Sequence, residues 1–307
     1  MEHKFFQKLD GVTYYFDYFE TESCEDVDWK ISREIMQEIN NDFKRRNDII
    51  VIRKKNSILD NIIDELHGKY DIIIYLGDEN PHCSKVNPDL TIFTQYWNNS
   101  LQKNIHFWPV FCDNNELTNK EISKETTKDI DIYFSGNLNK NRLIFYSSLI
   151  WPFNLSPKIS NYILKAIFNS YVKKILVWMS KFRSRQNGVL INFTNAFGSG
   201  FSVRVFTQHL RRSKFALCPK GFSSAWTFRL NEAIQCDCVP VIVRDEFENT
   251  VQPPALVLKS WCEINKYDHE KLDQIYKIKV KEINSFKEKW FNPSFLGKYV
   301  TRIQNKP

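Results

Sequence analysis

The residues best suited to chemistry lie between Ser213 and Phe247, where Lys220, Arg229 and Glu232 stand near Gly221, Ser223, Ser224 and Thr227. Lys214 to Cys218 reads as a strand, Pro219 to Ser224 as a loop, and a helix follows from about Ala225 or Trp226 to Gln235. In open α/β sheets, ligands bind outside the carboxyl ends of the strands. A helix that starts there turns N–H groups and the positive end of its dipole toward an anion. Lys220 adds a point charge, and Gly221 lets the backbone come close to a phosphate. Arg229 and Glu232 are three apart, so they share one helix face. The arginine can clamp a diphosphate through two donors, and the carboxylate can accept from both hydroxyls of a ribose. By spacing alone, an ordinary ion pair on a helix surface accounts for them at least as well.

A second group suits proton transfer. Asp78 and Glu79 follow the apolar run Ile72 to Leu76 and Gly77. A carboxylate just past a strand end can act as general base toward a hydroxyl, with His82 the next choice. Either acid serves equally as the cap of a following helix or turn. Metal chemistry is not expected. Asp129-Ile130-Asp131 has the D-x-D spacing of metal-dependent transferases but precedes its strand, whereas a metal-binding pair should follow one. Asp26 and Asp28 sit just before a helix, an ordinary place for acids. No Cys/His pair has zinc-ligand spacing. Neither metal nor cofactor is expected.

The stretch from Cys218 onward resembles the C-terminal half of the exostosin family, whose pattern is approximately C-P-[RK]-G, a gap, [ST]-F-R-x-x-E-A, then G-C-[IV]-P-V-I-x-x-D. The chain supplies Cys218-Pro219-Lys220-Gly221, Thr227-Phe228-Arg229, Glu232-Ala233 and Cys238-Val239-Pro240-Val241-Ile242 with Asp245. It departs at Asp237, where the family usually has Gly. The resemblance implies an inverting glycosyltransferase of GT-B fold, with Arg229 on the donor phosphates and Glu232 on the ribose. Asp71 to Pro109 is similar to the acceptor domain of bacterial α1,3-fucosyltransferases, in which a turn like Gly77-Asp78-Glu79-Asn80 carries the base. Phe134-Ser135-Gly136-Asn137 followed by Arg142 is similar to a segment of both families, which implies that Arg142 reaches the donor diphosphate. The exostosin-like half points to a UDP-sugar and the fucosyltransferase-like half to GDP-fucose. UDP is favoured, because GT-B enzymes hold the donor in the C-terminal domain. A nucleotide-sugar epimerase and a non-catalytic sugar-binding module are the other readings.

These residues need two α/β scaffolds to place them. β-branched runs at Ile49 to Ile52 and Ile72 to Leu76 predict strands buried on both faces, and Thr91 to Phe93 and Ile105 to Phe107 are further strand candidates. Val12 to Phe19 reads as another strand. Apolar residues at four-residue spacing predict helices over Trp29 to Arg45 and Ile58 to Leu66. Strands at Ile132 to Ser135, Val189 to Phe193, Val239 to Val243 and Leu256 to Leu258 alternate with helices from Arg142, over Val203 to Arg212 and over Asp268 to Lys289. The fold class is α/β, a GT-B arrangement of two Rossmann-like domains facing a cleft. Residues 1–150 form the acceptor-side domain, 151–188 a helical linker, 189–285 the nucleotide-sugar domain, and 286–307 a tail returning to the first domain.

Composition agrees with such an enzyme. The chain has 307 residues, 42% hydrophobic and 15% aromatic, enough for two cores. A net charge of +7 favours anionic ligands. There is no zinc-finger spacing, RNP motif or long basic run, so nucleic acid is not expected as a partner. A nucleotide-sugar donor and a glycan or lipid-linked glycan acceptor are. Seven cysteines without a pairing framework fit free thiols in a reducing compartment. Met1 to Gly11 lacks the apolar core of a signal peptide, and no apolar run approaches the ~20 residues of a membrane span. A cytoplasmic protein is expected, at the inner face of a membrane if residues 159–185 touch lipid. Ser156 to Arg185 reads as helical, apolar and basic, and fits either a solvated helix or a membrane-surface helix.

Overall fold

The structure is a computed structural model. It describes residues 3–9, 12–18, 49–54, 72–75, 91–94, 105–107, 127–150, 156–183, 188–196, 199–221, 226–246, 253–290 and, near the end, 292, 295–296, 298–299 and 302. The helices expected over 29–45 and 58–66 lie outside the described residues. Two compact units are present.

The first unit comprises Met1–Asp113, Asn249–Val251 and Lys287–Pro307. Its sheet contains β1 (His3–Leu9), β2 (Val12–Tyr18), β3 (Ile49–Lys54), β4 (Ile72–Tyr75), β5 (Thr91–Thr94) and β6 (Ile105–Phe107), in chain order. β1 and β2 are antiparallel, and every later pair is parallel. β1 was not expected. It pairs with β2 with Leu9 opposite Val12, and the Asp-Gly sequence between them is a dipeptide that favours two-residue hairpins. Ile72, Ile74, Ile92 and Phe93 are buried, as the apolar runs require. The C-terminal segment belongs to this unit, with Tyr299 edge-on to Phe93 at 6.0 Å.

The second unit comprises Asn114–Glu248 and Gln252–Phe286. Its strands are β7 (Ile130–Asn137), β8 (Val189–Thr194), β9 (Ser213–Leu217), β10 (Val239–Val243) and β11 (Leu256–Leu258). They are all parallel, in the order β8-β7-β9-β10-β11. That is the doubly wound 2-1-3-4-5 order, whose direction reverses between β7 and β9. The boundary expected at residue 150 is therefore wrong, because β7 pairs with both β8 and β9 inside the second sheet. The helices are α1 (Leu143–Leu149), α2 (Pro157–Ile167), α3 (Ser170–Arg183), α4 (Val203–Arg212), α5 (Phe228–Gln235) and α6 (His269–Trp290). The stretch from Ser156 is two helices rather than one. Asn169 Oδ1 accepts from the amides of Tyr171 and Val172 at 3.0 and 2.9 Å, so it caps α3 and ends the run before it.

Packing explains the strand pattern. β9 and β10 are buried at every position. Pro240 is tolerated near the start of β10 because pairing with β11 begins only at Val241. Phe134, Phe145, Phe193 and Trp261 form an aromatic cluster, with centroid distances of 4.7 Å for Phe134–Phe145, 4.8 Å for Phe134–Phe193 and 4.7 Å for Phe145–Trp261. Burying rings of this size dominates core energetics.

At the amino ends of β7 and β9 the acids are paired. Arg212 grips Asp129 with two donors. Lys214 Nζ donates to Asp131 at 2.8 Å and also to Asp273. His269 Nδ1 lies 2.7 Å from Asp131. Asp131, His269 and Asp273 approach metal-site spacing, but the Lys214 ammonium supplies the cation between their carboxylates. Gly188, at φ 75°, lets its chain pass beside Asp131, where a Cβ would lie 2.6 Å from the carboxylate.

Two predictions follow from the ends of α5 and α6. Asp237 has φ 52° just past α5. Its amide donates to Ile234 O at 3.2 Å, and that of Cys238 to Ala233 O at 2.9 Å, the two bonds of a Schellman close. The position favours glycine, so Asp237→Gly should raise stability by about 0.5–1 kcal/mol in chemical denaturation. The hydrogen bond to Asp131, with that carboxylate's charge, raises the His269 pKa above its ordinary value, Asp273 adding to the rise and Lys214 opposing it. Stability from the charged ring is thus full below about pH 6.5 and is lost as pH rises through the raised value. Burial lowers the His209 pKa, which gives the opposite slope. The difference in melting temperature between wild type and His269→Gln should therefore shrink from pH 6 to pH 8.5, roughly two units across the ordinary histidine value.

Candidate active site

The carboxyl ends of β7 and β9, where the sheet order reverses, gather most of the described candidates. α5 begins at Phe228, two or three residues later than expected, after Thr227 in extended conformation. Arg229 therefore stands in its first turn. The guanidinium turns onto β7, donating from Nη2 to the carbonyl of Ser135 and lying 4.8 Å over the Phe134 ring. Gly136 makes this approach feasible, since a Cβ there would fall inside the guanidinium. Its Nε is buried and finds no acceptor among the described residues, and the buried Thr227 Oγ1 likewise finds no partner among them. Buried polar atoms are normally satisfied, so two such atoms within three residues at the start of α5 call for a polar partner.

Arg142 comes from the other side of β7. It closes a short 3-10 helix, Lys140–Arg142, whose cap Asn139 accepts from the Arg142 amide at 3.0 Å. Its side chain is buried and donates from Nη1 to Asn137 O at 2.9 Å. Lys173 of α3 reaches the same residue, donating to Asn137 Oδ1 at 2.9 Å. Burial lowers the Lys173 pKa. Three consecutive positions at the end of β7 thus hold cations or admit one.

β9 delivers the loop. Cys218 and Pro219 are buried, Lys220 is exposed and Gly221 half-buried. Burial pushes the Cys218 thiol up to about 12, against the pull of Arg229 and Arg142 and with a push from Glu232. All three charges therefore act at the end of β9. A pocket of about 230 Å³ opens here, lined by Asn141, Arg142, Ile144, Phe145, Pro219, Lys220, Gly221 and Trp261. Arg142 and Lys220 share this lining with Phe145 and Trp261. Ligand sites are commonly ~300–1,000 Å³, so this volume suits one moiety of a nucleotide sugar.

Arg142, Lys220, Gly221, Thr227, Arg229 and Glu232 are thus brought to one end of one sheet. Asp78, Glu79, His82, Ser223 and Ser224 lie outside the described residues. Phe145, Trp261 and Asn141 were missed. Trp261 lies far along the chain in a 3-10 helix, Trp261–Lys266, and carries no motif. Asp129 and Asp131 sit at the opposite, amino end, in the ion pairs described above.

The Exostosin GT47 domain model matches residues 75–255, more than half of the chain. The chain belongs to the exostosin GT47 family. It is accordingly a glycosyltransferase, and the match spans both Asp78-Glu79 and the cations at the ends of β7 and β9. No curated protein matches the chain. Among solved structures, UDP-GlcNAc 2-epimerase from Methanocaldococcus jannaschii is similar at a TM-score of 0.36 and 13% identity, covering 92% of this chain and 83% of that one.

Gly136 is the sharpest test of this geometry. Gly136→Ala should displace Arg229 and weaken nucleotide binding by about tenfold or more, close to the effect of Arg229→Ala, through loss of a charge-assisted contact. Isothermal titration checks this, with circular dichroism showing that both variants keep the fold.

Proposed function

We propose that the protein transfers a sugar from a uridine diphosphate donor to a glycan hydroxyl, with inversion at the anomeric carbon and without a metal. The observation that carries this reading is the buried Arg229 Nε, which like Thr227 Oγ1 finds no partner among the described residues, at the end of the sheet where Arg142 and Lys220 line a pocket. Arg229, Arg142 and Lys220 would take the diphosphate, Gly221, Ser223 and Ser224 its backbone cradle, and Glu232 the ribose. Phe145 and Trp261 would wall the pocket beside it.

In the transfer, the acceptor oxygen bonds to the anomeric carbon as the bond from that carbon to the diphosphate breaks. The diphosphate leaves with the bonding electrons, and a base takes the hydroxyl proton. Glu79 or Asp78 is the base, with His82 next in order. Charge grows on the leaving diphosphate, so fixed cations aimed at it lower the barrier most directly. The acceptor class is a surface polysaccharide or a lipid-linked glycan, and a cytoplasmic enzyme fits either.

A thermal-shift screen against UDP, GDP, CMP and their sugar conjugates, with and without chelator, tests this. A ligand at about 100 times its Kd should stabilise the fold by about 2.7 kcal/mol. The expected result is a shift with uridine nucleotides, insensitive to chelator and lost in Arg229→Ala. A shift with GDP-fucose alone would replace the donor assignment. Donor turnover without acceptor would favour an epimerase. No shift with any nucleotide would leave a sugar-binding module as the better reading.

A further inference from the structure

α2 and α3 each carry apolar side chains on a face that the second unit leaves open. In α2, Ile159, Tyr162, Ile163 and Ile167 are exposed, and in α3, Tyr171, Ile175 and Trp178. Their spacings, i, i+3, i+4, i+8 and i, i+4, i+7, make a single stripe on each helix. Both helices already place another side in the core. Leu164 of α2 is buried, as are Leu176, Val177 and Ser180 of α3, and Tyr146 donates to Leu176 O at 2.6 Å. Among the described residues, those buried contacts account for one side of each helix and not for the exposed isoleucines and tyrosines. Tyr162 is 79% exposed and Tyr171 72%.

Charge narrows the occupant. Lys158 and Lys165 of α2, and Lys174 and Lys181 of α3, are all exposed. From Ile132 to Asn231 the chain has fifteen Lys and Arg residues and no Asp or Glu. A second copy of the chain would bring like charges together. A soluble polyanion would satisfy the lysines and leave the apolar stripes in water. An anionic lipid surface meets both demands. Isoleucine, tyrosine and tryptophan enter the boundary between headgroups and acyl chains, while lysines reach the headgroups. No described helix is long and apolar enough to cross a membrane, so the contact is in the plane of the interface.

We infer that α2 and α3 dock the protein onto an anionic phospholipid surface, independently of the nucleotide that it uses. The test is sedimentation of the full chain with phosphatidylcholine vesicles, with and without phosphatidylserine. Binding is expected only with phosphatidylserine and should weaken as salt is raised. Ile163→Ser with Trp178→Ser, and separately Lys174→Glu with Lys181→Glu, should each weaken binding by roughly tenfold or more. Both variants should keep the wild-type melting temperature and the wild-type response to nucleotide. Absence of sedimentation by the wild type, or unchanged binding by the lysine variant, would overturn the inference. So would a dimer in sedimentation velocity that the Trp178→Ser pair abolishes while vesicles recover no protein.

Discussion

The second unit is organised around the contact between Arg229 and the end of β7. An arginine in the first turn of one helix reaches back to a strand nearly a hundred residues earlier, and it can do so only because residue 136 has no side chain. The guanidinium meets a carbonyl and the face of Phe134, and Phe134 is itself locked against Phe145 and Phe193. The cation is thus held by a packed aromatic core rather than by a flexible loop. Such rigid placement is what electrostatic catalysis requires, since a charge already fixed needs no reorganisation when the leaving group develops its own. The close of α5 at Asp237 serves the same end. A helix of only eight residues, stopped by a Schellman close and joined at once to buried β10, has little freedom to swing Arg229 away.

The sheet is electrically polarised along its strands. At the amino ends of β7 and β9, Asp129 and Asp131 are matched by Arg212 and Lys214, with Asp273 and His269 completing the group. At the carboxyl ends, Arg142, Lys173, Lys220 and Arg229 gather, with Glu232 the carboxylate that acts beside them on Cys218. One end neutralises its charges within the chain and builds stability. The other end concentrates four cations against one carboxylate. This division explains why a D-x-D at the amino end of β7 belongs to the scaffold: it is a strand-length away from the groups that could meet a phosphate.

Much of this was legible in the sequence, and the limits have physical causes. Runs such as Val239 to Val243 and Val203 to Arg212 gave their elements to the residue, because a buried strand and an amphipathic helix leave unambiguous patterns. Lys220 and Arg229 stood out because the spacing around Cys218, Arg229 and Glu232 matches the exostosin pattern, whereas Lys173 carried no such signal. The unit boundary was not. Residues 130–137 read as a strand in either domain, and only hydrogen bonding to both β8 and β9 decides. The break at Asn169 was hidden because apolar residues continue on both sides, although an Asn-Ser pair is a helix-start signal. Trp261 and Phe145 could not be found by spacing, since a pocket wall joins residues that only the fold brings together.

The long segment without acids ties the two proposed binding surfaces into one electrostatic problem. Fifteen cations between Ile132 and Asn231 repel one another, and the acids that pair with Arg212 and Lys214 lie outside the segment, Asp129 and Asp131 just before it and Asp273 farther along the chain. Self-repulsion of this kind opposes compaction. It is tolerable where anions from outside complete the balance, at the carboxyl ends of β7 and β9 and along the lysines of α2 and α3. A donor diphosphate and a phospholipid headgroup are both phosphate esters, so a single compositional bias suits both surfaces. The difference between them lies in what surrounds the charge. On β7 and β9 the cations are fixed by hydrogen bonds and an aromatic core, which gives selectivity for one ligand geometry. On α2 and α3 they are long, exposed side chains beside an open apolar stripe, which gives attraction to a surface without demanding a particular arrangement of its phosphates.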